Sequence, residues 1–177
     1  MTWQQLSRFG DNVAPHWLLQ ARLKRVSHRC LALDYELVAP AAEVMWPTAS
    51  ISPQRRDELW HSTCLELFIA NPGSAPYWEI NLSPNGDWNV YQLSSYRQEL
   101  QREPCIECVQ MKAHSAADRH QLHAILELPP ALLAASTLHA NLCAVLQHVN
   151  TTTSYWAVCH TSHEADFHAR SGFVLEV

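Results

Sequence analysis

The stretch from Leu59 to Arg97 decides the fold, and it reads LWHSTCLELFIANPGSAPYWEINLSPNGDWNVYQLSSYR. Three runs of alternating residues lie within it, at Cys64–Ala70, Tyr77–Ser83 and Asp87–Leu93. Turn-forming residues separate these runs, namely Asn71-Pro72-Gly73-Ser74 and Pro84-Asn85-Gly86. Alternation interrupted by such residues is typical of β-hairpins. The stretch therefore predicts three neighbouring antiparallel strands.

The two faces of these three strands differ in chemistry, because successive side chains on a strand point to opposite sides. One predicted face is apolar. The other carries Cys64, Glu66, Phe68, Tyr77, Glu79, Asn81, Ser83, Asp87, Asn89 and Tyr91. A solvated outer face is one interpretation of this set. Solvated faces usually contain lysine, threonine and serine, however, so carboxylates, amides and rings without lysine favour a lined cavity or groove.

The composition excludes several classes of function. The chain has 177 residues, of which 47% are hydrophobic, and a net charge of −5, which suits one domain over residues 1–177 with an ordinary core. Its 12 Lys and Arg residues form no basic run, so we expect no nucleic-acid partner. No segment approaches the ~20 apolar residues of a membrane helix. The N-terminal MTWQQLSRFGDN has no secretory pattern, which predicts a cytoplasmic protein.

Six cysteines are present, and without a secretion signal we expect them to be free thiols. Cys105 and Cys108 have CxxC spacing within Cys105–Met111, a run that reads as a strand. Residues three apart on a strand face opposite sides, so this pair is not expected to share a metal or a disulfide. We therefore predict no metal site here.

Further alternating runs lie on both sides of the central stretch. They are Trp17–Val26, His28–Val38, Cys105–His114, His120–Leu128, Leu138–Asn150, Thr153–Val158 and Phe173–Val177. Pro129-Pro130 precedes ALLAAS, which indicates one short helical segment. Strands at this spacing with little helix predict an all-β protein, an antiparallel β-sandwich of about ten strands.

Trp60 lies six residues before Glu66 and is the candidate stacking residue for a sugar ring. Glu66, Glu79, Asn81, Tyr91 and Arg97 are the candidate hydrogen-bonding residues. The alternative for Trp60 is an anchor in the core, where tryptophan is mostly buried. Glu66 and Glu79 also leave open a glycoside hydrolase with an acid and a base.

The late stretch TSYWAVCHTSHEADFHARSGF contains His160, His163, Asp166 and His168, which are residue types that bind metals. Their spacing matches no metal motif, so we interpret this stretch as a loop that closes one end of the sandwich through hydrogen bonds. Met45 or Met111 paired with a histidine leaves haem open as an alternative.

With these residues in view, the chain resembles the DOMON-like superfamily, specifically its small bacterial domains similar to family 9 carbohydrate-binding modules. The shared elements are Leu59-Trp60, TCLELFIA, YWEINLSPNGDWNVY, Tyr96-Arg97 and the closing SYWAVCH…ADFH…F. The resemblance implies a jelly-roll-like sandwich whose concave polar face binds sugar or haem. It implies that Trp60 and Glu66 hold the sugar, with Trp156 as the counterpart of a second, late tryptophan. Those modules also bind structural calcium.

The residues and the resemblance together predict a non-catalytic module that binds a small sugar or a sugar-like molecule. The expected ligand-binding residues are Trp60, Glu66, Glu79, Asn81, Tyr91, Arg97 and Trp156. We expect no catalytic residue, no metal and no cofactor, with haem and calcium as the alternatives. A haem-binding redox or sensing domain, a glycoside-active enzyme and a protein-interaction domain are the other functions left open.

Overall fold

The structure is a computed structural model that describes residues 2–10 and 16–177. Met1 and residues 11–15, which belong to the N-terminal stretch interpreted above, lie outside the described residues. The strands are β1 (Gln4–Arg8), β2 (Leu18–Arg25), β3 (Cys30–Val38), β4 (Cys64–Ala70), β5 (Tyr77–Leu82), β6 (Trp88–Leu93), β7 (Gln101–Arg102), β8 (Gln110–Ala116), β9 (Arg119–Glu127), β10 (His139–Gln147), β11 (Thr153–Ala157) and β12 (Leu175–Glu176), and the helix is α1 (Pro130–Leu133).

The strands form one curled sheet in the order β7-β6-β5-β4-β10-β11-β1-β2-β3-β9-β8, and β12 pairs with β10. All pairs of named strands are antiparallel. β1 joins the two halves of the sheet, because its first residues pair with β2 and its last two pair with β11. Among the described residues, no helix reaches the length and hydrophobicity that a membrane span requires.

The core lies between the two halves of the sheet. Leu23 and Leu33 of one half belong to the same buried cluster as Leu65 and Leu67 of the other. Burial of such side chains supplies most of the free energy that holds the halves together. The Tyr35 hydroxyl crosses this core and donates a hydrogen bond of 2.6 Å to the backbone oxygen of Glu66.

The structure confirms the all-β, mostly antiparallel character that the sequence predicts, and it confirms the three-strand arrangement of the central stretch. Two short strands, β1 and β7, were not predicted. β8 begins at Gln110, so the prediction that Cys105 and Cys108 lie on a strand is wrong; both residues are exposed and free. Because the strands join in one sheet, the jelly-roll sandwich stays a prediction.

Gly86 closes the turn between β5 and β6 in a conformation that favours glycine. Its φ is +102°, and a Cβ added there would lie 2.8 Å from Cγ of Pro53. Gly73, in the turn between β4 and β5, has a φ of +69° but no atom within 4 Å of an added Cβ. An alanine at either glycine would be strained by the positive φ, but only an alanine at position 86 would also overlap a neighbouring side chain.

We expect Gly86→Ala to destabilise the protein by roughly 1–3 kcal/mol, since both strain and overlap with the Pro53 ring act there. Gly73→Ala is the matched control, and we expect it to cost less because only the strain applies. Urea unfolding followed by tryptophan fluorescence measures both. An equal loss in the two variants would contradict the steric role of Pro53.

Candidate functional site

The face of β4, β5, β6, β10 and β11 that points away from the core is partly covered, by the C-terminal loop (residues 159–172) and by Leu59 and Trp60. A second buried cluster forms there, in which Phe68 of β4 packs against Phe167 and Phe173, with ring centroids 6.1 and 6.2 Å away. Because this face is covered, every residue of β4 and β5 is buried. The polar residues of these strands are thus enclosed rather than solvated.

A cavity of about 370 Å³ remains between the loop and the strands. It is lined by Trp60, Glu66, Phe68, Glu79, Leu93, Arg97, Leu100, Val145, Tyr155, Ala165, Phe167 and His168. This volume lies near the lower end of ordinary ligand pockets and suits a small ligand. Four of the residues expected to bind a ligand line it together, namely Trp60, Glu66, Glu79 and Arg97.

Glu66 and Glu79 lie on the same face of neighbouring strands. In the register of β4 and β5, Glu66 is opposite Asn81 and Phe68 is opposite Glu79, so the two glutamates are diagonal neighbours. They are 2% and 4% exposed. Asn81 Nδ2 donates a hydrogen bond of 2.8 Å to Glu79 Oε1, whereas Glu66 Oε1 is buried without a hydrogen-bond partner. Glu66 thus presents an unused acceptor.

Burial governs the charge of this pair. It raises the pKa of Glu79 to about 7, against the opposing effects of Asn81 and Arg97. Burial, followed by the charge of Glu79, raises the pKa of Glu66 well above its usual value. Two adjacent carboxyls out of water cannot both ionise without a compensating cation. At neutral pH the empty pair therefore retains a proton.

His168 is fixed beside Glu79 by a short chain of hydrogen bonds. The backbone N–H of Arg97 donates to the Tyr77 hydroxyl over 3.2 Å, and this hydroxyl lies 2.8 Å from His168 Nδ1. Burial, together with Arg97, lowers the pKa of His168 to about 4, so the imidazole is neutral. With Nδ1 accepting from Tyr77, its Nε2–H faces Glu79 Oε2 across 4.0 Å. That gap is too long for a direct hydrogen bond.

Arg97 lies at the mouth of the pocket, where its guanidinium forms an ion pair with Asp166 of the C-terminal loop. Its backbone has a φ of 54°, and its Nη2 lies 3.0 Å from Asp166 Oδ1. Asp166 Oδ2 also accepts a hydrogen bond of 2.8 Å from the Tyr96 hydroxyl. The sequence predicts that this loop bonds backbone groups and closes one end of a sandwich, which stays a prediction; Asp166 bonds the two side chains named above and the backbone N–H of His168. His168 was not expected to line a pocket.

Tyr91 and Asn81 support the pocket rather than line it. The Tyr91 hydroxyl donates to Asp57 Oδ1 over 2.8 Å, and its ring packs against Trp60 at a centroid distance of 5.9 Å. Arg102 holds Asp57 in place through two hydrogen bonds of 2.9 and 2.6 Å. The structure therefore places Tyr91 behind the Trp60 ring, where it fixes the position of the indole.

Trp156 is the predicted site residue that the structure places elsewhere. It is 4% exposed and belongs to the core between the sheet halves, where its Nε1 donates to the Ser154 hydroxyl. In the β10–β11 register Trp156 is opposite Ala144, whereas Tyr155 is opposite Val145, a pocket residue. Tyr155 is thus the late aromatic residue of the pocket, and assigning Trp156 to the site is corrected on these grounds.

The cofactor alternatives find no support in the geometry. Met45 is 47% exposed and is not among the residues that line the pocket. Across residues 2–10 and 16–177, no group of three histidine, cysteine or acidic side chains is arranged to hold a metal ion. Haem and calcium therefore rest on the sequence and its resemblance alone.

No protein-family model and no curated protein matches this chain. Several solved structures are similar to it. A candidate carbohydrate-binding protein from Bacteroides uniformis is 13% identical, with 98% of this chain and 84% of that chain covered and a TM-score of 0.69. A family 9 carbohydrate-binding module from Caldicellulosiruptor kristjanssonii, in complex with cellotriose, is 10% identical, with coverages of 92% and 74% and a TM-score of 0.53. At these identities the likeness shows a shared fold, that of carbohydrate-binding modules.

We expect Glu79→Gln to become more stable than the wild type as the pH rises. The folded protein holds the Glu79 proton more tightly than the unfolded chain, so this contribution to stability is complete below pH 4.5 and is lost as the pH rises through about 7. The glutamine cannot ionise and loses nothing. The difference in unfolding free energy should reach about 2–3 kcal/mol by pH 8, measured by urea unfolding between pH 5 and 8.

Glu127→Gln is the matched control, because Glu127 is exposed on β9 in the other half of the sheet. Its effect on stability should be small, because the side chain is exposed and far from the pocket. Burial and Arg97 lower the pKa of His168 to about 4, so its imidazole stays neutral in the folded wild type from pH 5 to 8. A constant difference between wild type and Glu79→Gln from pH 5 to 8 would contradict the raised pKa of Glu79.

Proposed function

We propose that the protein is a non-catalytic module that binds a small sugar or a sugar-like molecule in this pocket. The observation that carries the proposal is a pocket in which an indole ring adjoins buried, incompletely paired carboxyls. The structural neighbours support the proposal, since one is named as a candidate carbohydrate-binding protein and another holds cellotriose. The modest volume favours a monosaccharide or a disaccharide over a long polysaccharide chain.

Each lining residue has a role in this proposal. Trp60 stacks against the apolar face of the sugar ring, with Tyr91 behind it. Glu66 and Glu79 bind hydroxyl groups, and Arg97 binds one at the mouth. The space between His168 Nε2 and Glu79 Oε2 accepts a single hydroxyl, which would bridge the 4.0 Å gap. Asn81 positions Glu79 through its hydrogen bond.

Glu66 and Glu79 suit hydrogen bonding to a ligand, because burial raises the pKa of both carboxyls and Glu66 Oε1 has no hydrogen-bond partner. A glycoside hydrolase, which uses one protonated and one ionised carboxyl, remains the alternative function, since this pair retains a proton at neutral pH.

We also keep three finer assignments as proposals: membership of the DOMON-like superfamily, a jelly-roll sandwich and a cytoplasmic location. The facing of the two sheet halves across one core supports the sandwich. The six free cysteines support a reducing compartment.

We expect Trp60→Ala to weaken sugar binding about tenfold or more, because it removes the stacking surface and exposes the pocket. Calorimetric titration of wild type and variant with a panel of monosaccharides and disaccharides measures this. Tryptophan fluorescence should change on binding in the wild type, since Trp60 is half-buried beside the cavity.

Trp3→Ala is the matched control. Trp3 is 38% exposed on the other half of the sheet, where the Arg22 guanidinium lies 4.7 Å from its ring centroid. Its loss should leave sugar affinity unchanged. If no sugar of the panel produces heat or a change in fluorescence with the wild type, the proposed function is wrong.

A further inference from the structure

The charges around the pocket do not balance. Among the described residues that line it, Glu66 and Glu79 are acidic, Arg97 is basic and His168 is neutral. The Arg97 side chain is 51% exposed and is already paired with Asp166. Two buried carboxyls thus lack a cation of their own, and removing such a pair from water without compensation is costly.

One carboxyl of this pair belongs to a residue of the pocket wall and has an oxygen without a hydrogen-bond partner. Glu66 is 2% exposed, it lines the cavity, and its Oε1 has no hydrogen-bond partner. Asn81 Oδ1, on the residue opposite Glu66, is also buried without a partner, so two unpaired acceptors lie close together at this wall. A donor supplied by a ligand would satisfy an acceptor of this kind. A donor that also carries positive charge would meet both requirements at once.

The remaining wall suits a cation equally well. Trp60, Phe68, Tyr155 and Phe167 line the cavity around the carboxyls. Aromatic faces attract ammonium groups, most strongly where water is excluded. Glutamates enclosed by aromatic rings are therefore complementary to a protonated amine and offer less to a neutral ligand or an anion.

We propose that the sugar bound here is an amino sugar, whose ammonium group pairs with Glu66 and Glu79. This inference rests on the proposed function. The ammonium occupies the position next to Glu66 Oε1, the unpaired acceptor. A ring hydroxyl occupies the gap between His168 Nε2 and Glu79 Oε2. The apolar ring face rests on Trp60. An N-acetylated or neutral sugar fills the same space without neutralising the acids.

Binding of the amine displaces a proton. The empty carboxyl pair retains a proton at neutral pH, and an ammonium group makes the ionised form favourable, so this proton leaves to the buffer. Other titratable groups also surround the pair. They are Tyr35 on β3, Cys64 on β4, Tyr77 on β5, Tyr91 on β6, Cys143 on β10, Tyr155 on β11, and Arg97, Asp166 and His168 on the loops.

Calorimetry on the full chain tests this inference with D-glucosamine, N-acetyl-D-glucosamine, D-glucose, choline and calcium chloride as probes. We expect D-glucosamine to bind about tenfold or more tightly than the two other sugars at pH 7. Its apparent enthalpy should differ between buffers of unlike ionisation heat, because a proton is released. The binding enthalpy of D-glucose should be the same in all of these buffers, because its binding releases no proton.

Glu66→Gln separates charge from shape, since glutamine keeps the size of the side chain. We expect it to weaken D-glucosamine binding far more than D-glucose binding, so that the preference for D-glucosamine over D-glucose is lost. Glu127→Gln, exposed on β9, should keep the wild-type preference. Thermal unfolding of each variant confirms that it is folded.

The outcomes separate the two proposals. If D-glucose binds as tightly as D-glucosamine or more tightly, the site is a sugar site and the proposed preference for an amino sugar is wrong. If choline binds as tightly as D-glucosamine, the site recognises an ammonium group and the proposal that its ligand is a sugar is wrong. Calcium that competes with D-glucosamine and binds more tightly overturns the amine in favour of a metal. Binding by none of the probes overturns both proposals.

Discussion

The register of β4 and β5 holds Glu66 and Glu79 side by side, out of water, and the other features of the site depend on this pairing. A shift of one residue would turn either glutamate into the leucine-rich core between the sheet halves. The shift is prevented because Leu65, Leu67 and Ile80 pack in that core, and because Tyr35 bonds the Glu66 backbone from the opposite half. The hydrophobic face thus fixes where the acidic face points. Asn81, directly opposite Glu66, can then bond Glu79 on its own strand.

The C-terminal loop, residues 159–172, changes what this acidic face can do. Without a cover, the glutamates would be hydrated and would titrate normally. The loop places Phe167 against Phe68 and His168 beside Glu79, so the same side chains become the buried wall of a pocket. It is anchored by Arg97 and Tyr96, which both bond Asp166. Access to the pocket and the charge of its mouth therefore depend on one small polar cluster.

The sequence predicts much of this arrangement, because period-two alternation is a local signal. It places Glu66, Glu79 and the nearby rings on one face, as the two separate buried clusters confirm. Trp156 was misassigned because alternation within Thr153–Val158 shows which residues share a face but does not show which face meets the pocket. Only pairing with β10 decides that, and it aligns Tyr155 with Val145. His168 was missed because its position depends on the path of an irregular loop and on Tyr77, ninety-one residues away. β1 and β7 are short, and their pairing partners, not their residues, make them strands.

A pocket wall with two uncompensated carboxyls lowers the stability of the empty protein, so its presence needs a physical explanation. A polar residue that only filled space could be replaced by an apolar one of similar size with a gain in stability. The extensive apolar core shared by the two halves offsets the cost. Local destabilisation of this kind concentrates at sites that await a ligand, because the ligand supplies the missing partner. Glu66 fits that description most closely, since its free oxygen, its burial and its neighbouring carboxyl all point to a donor from outside the chain.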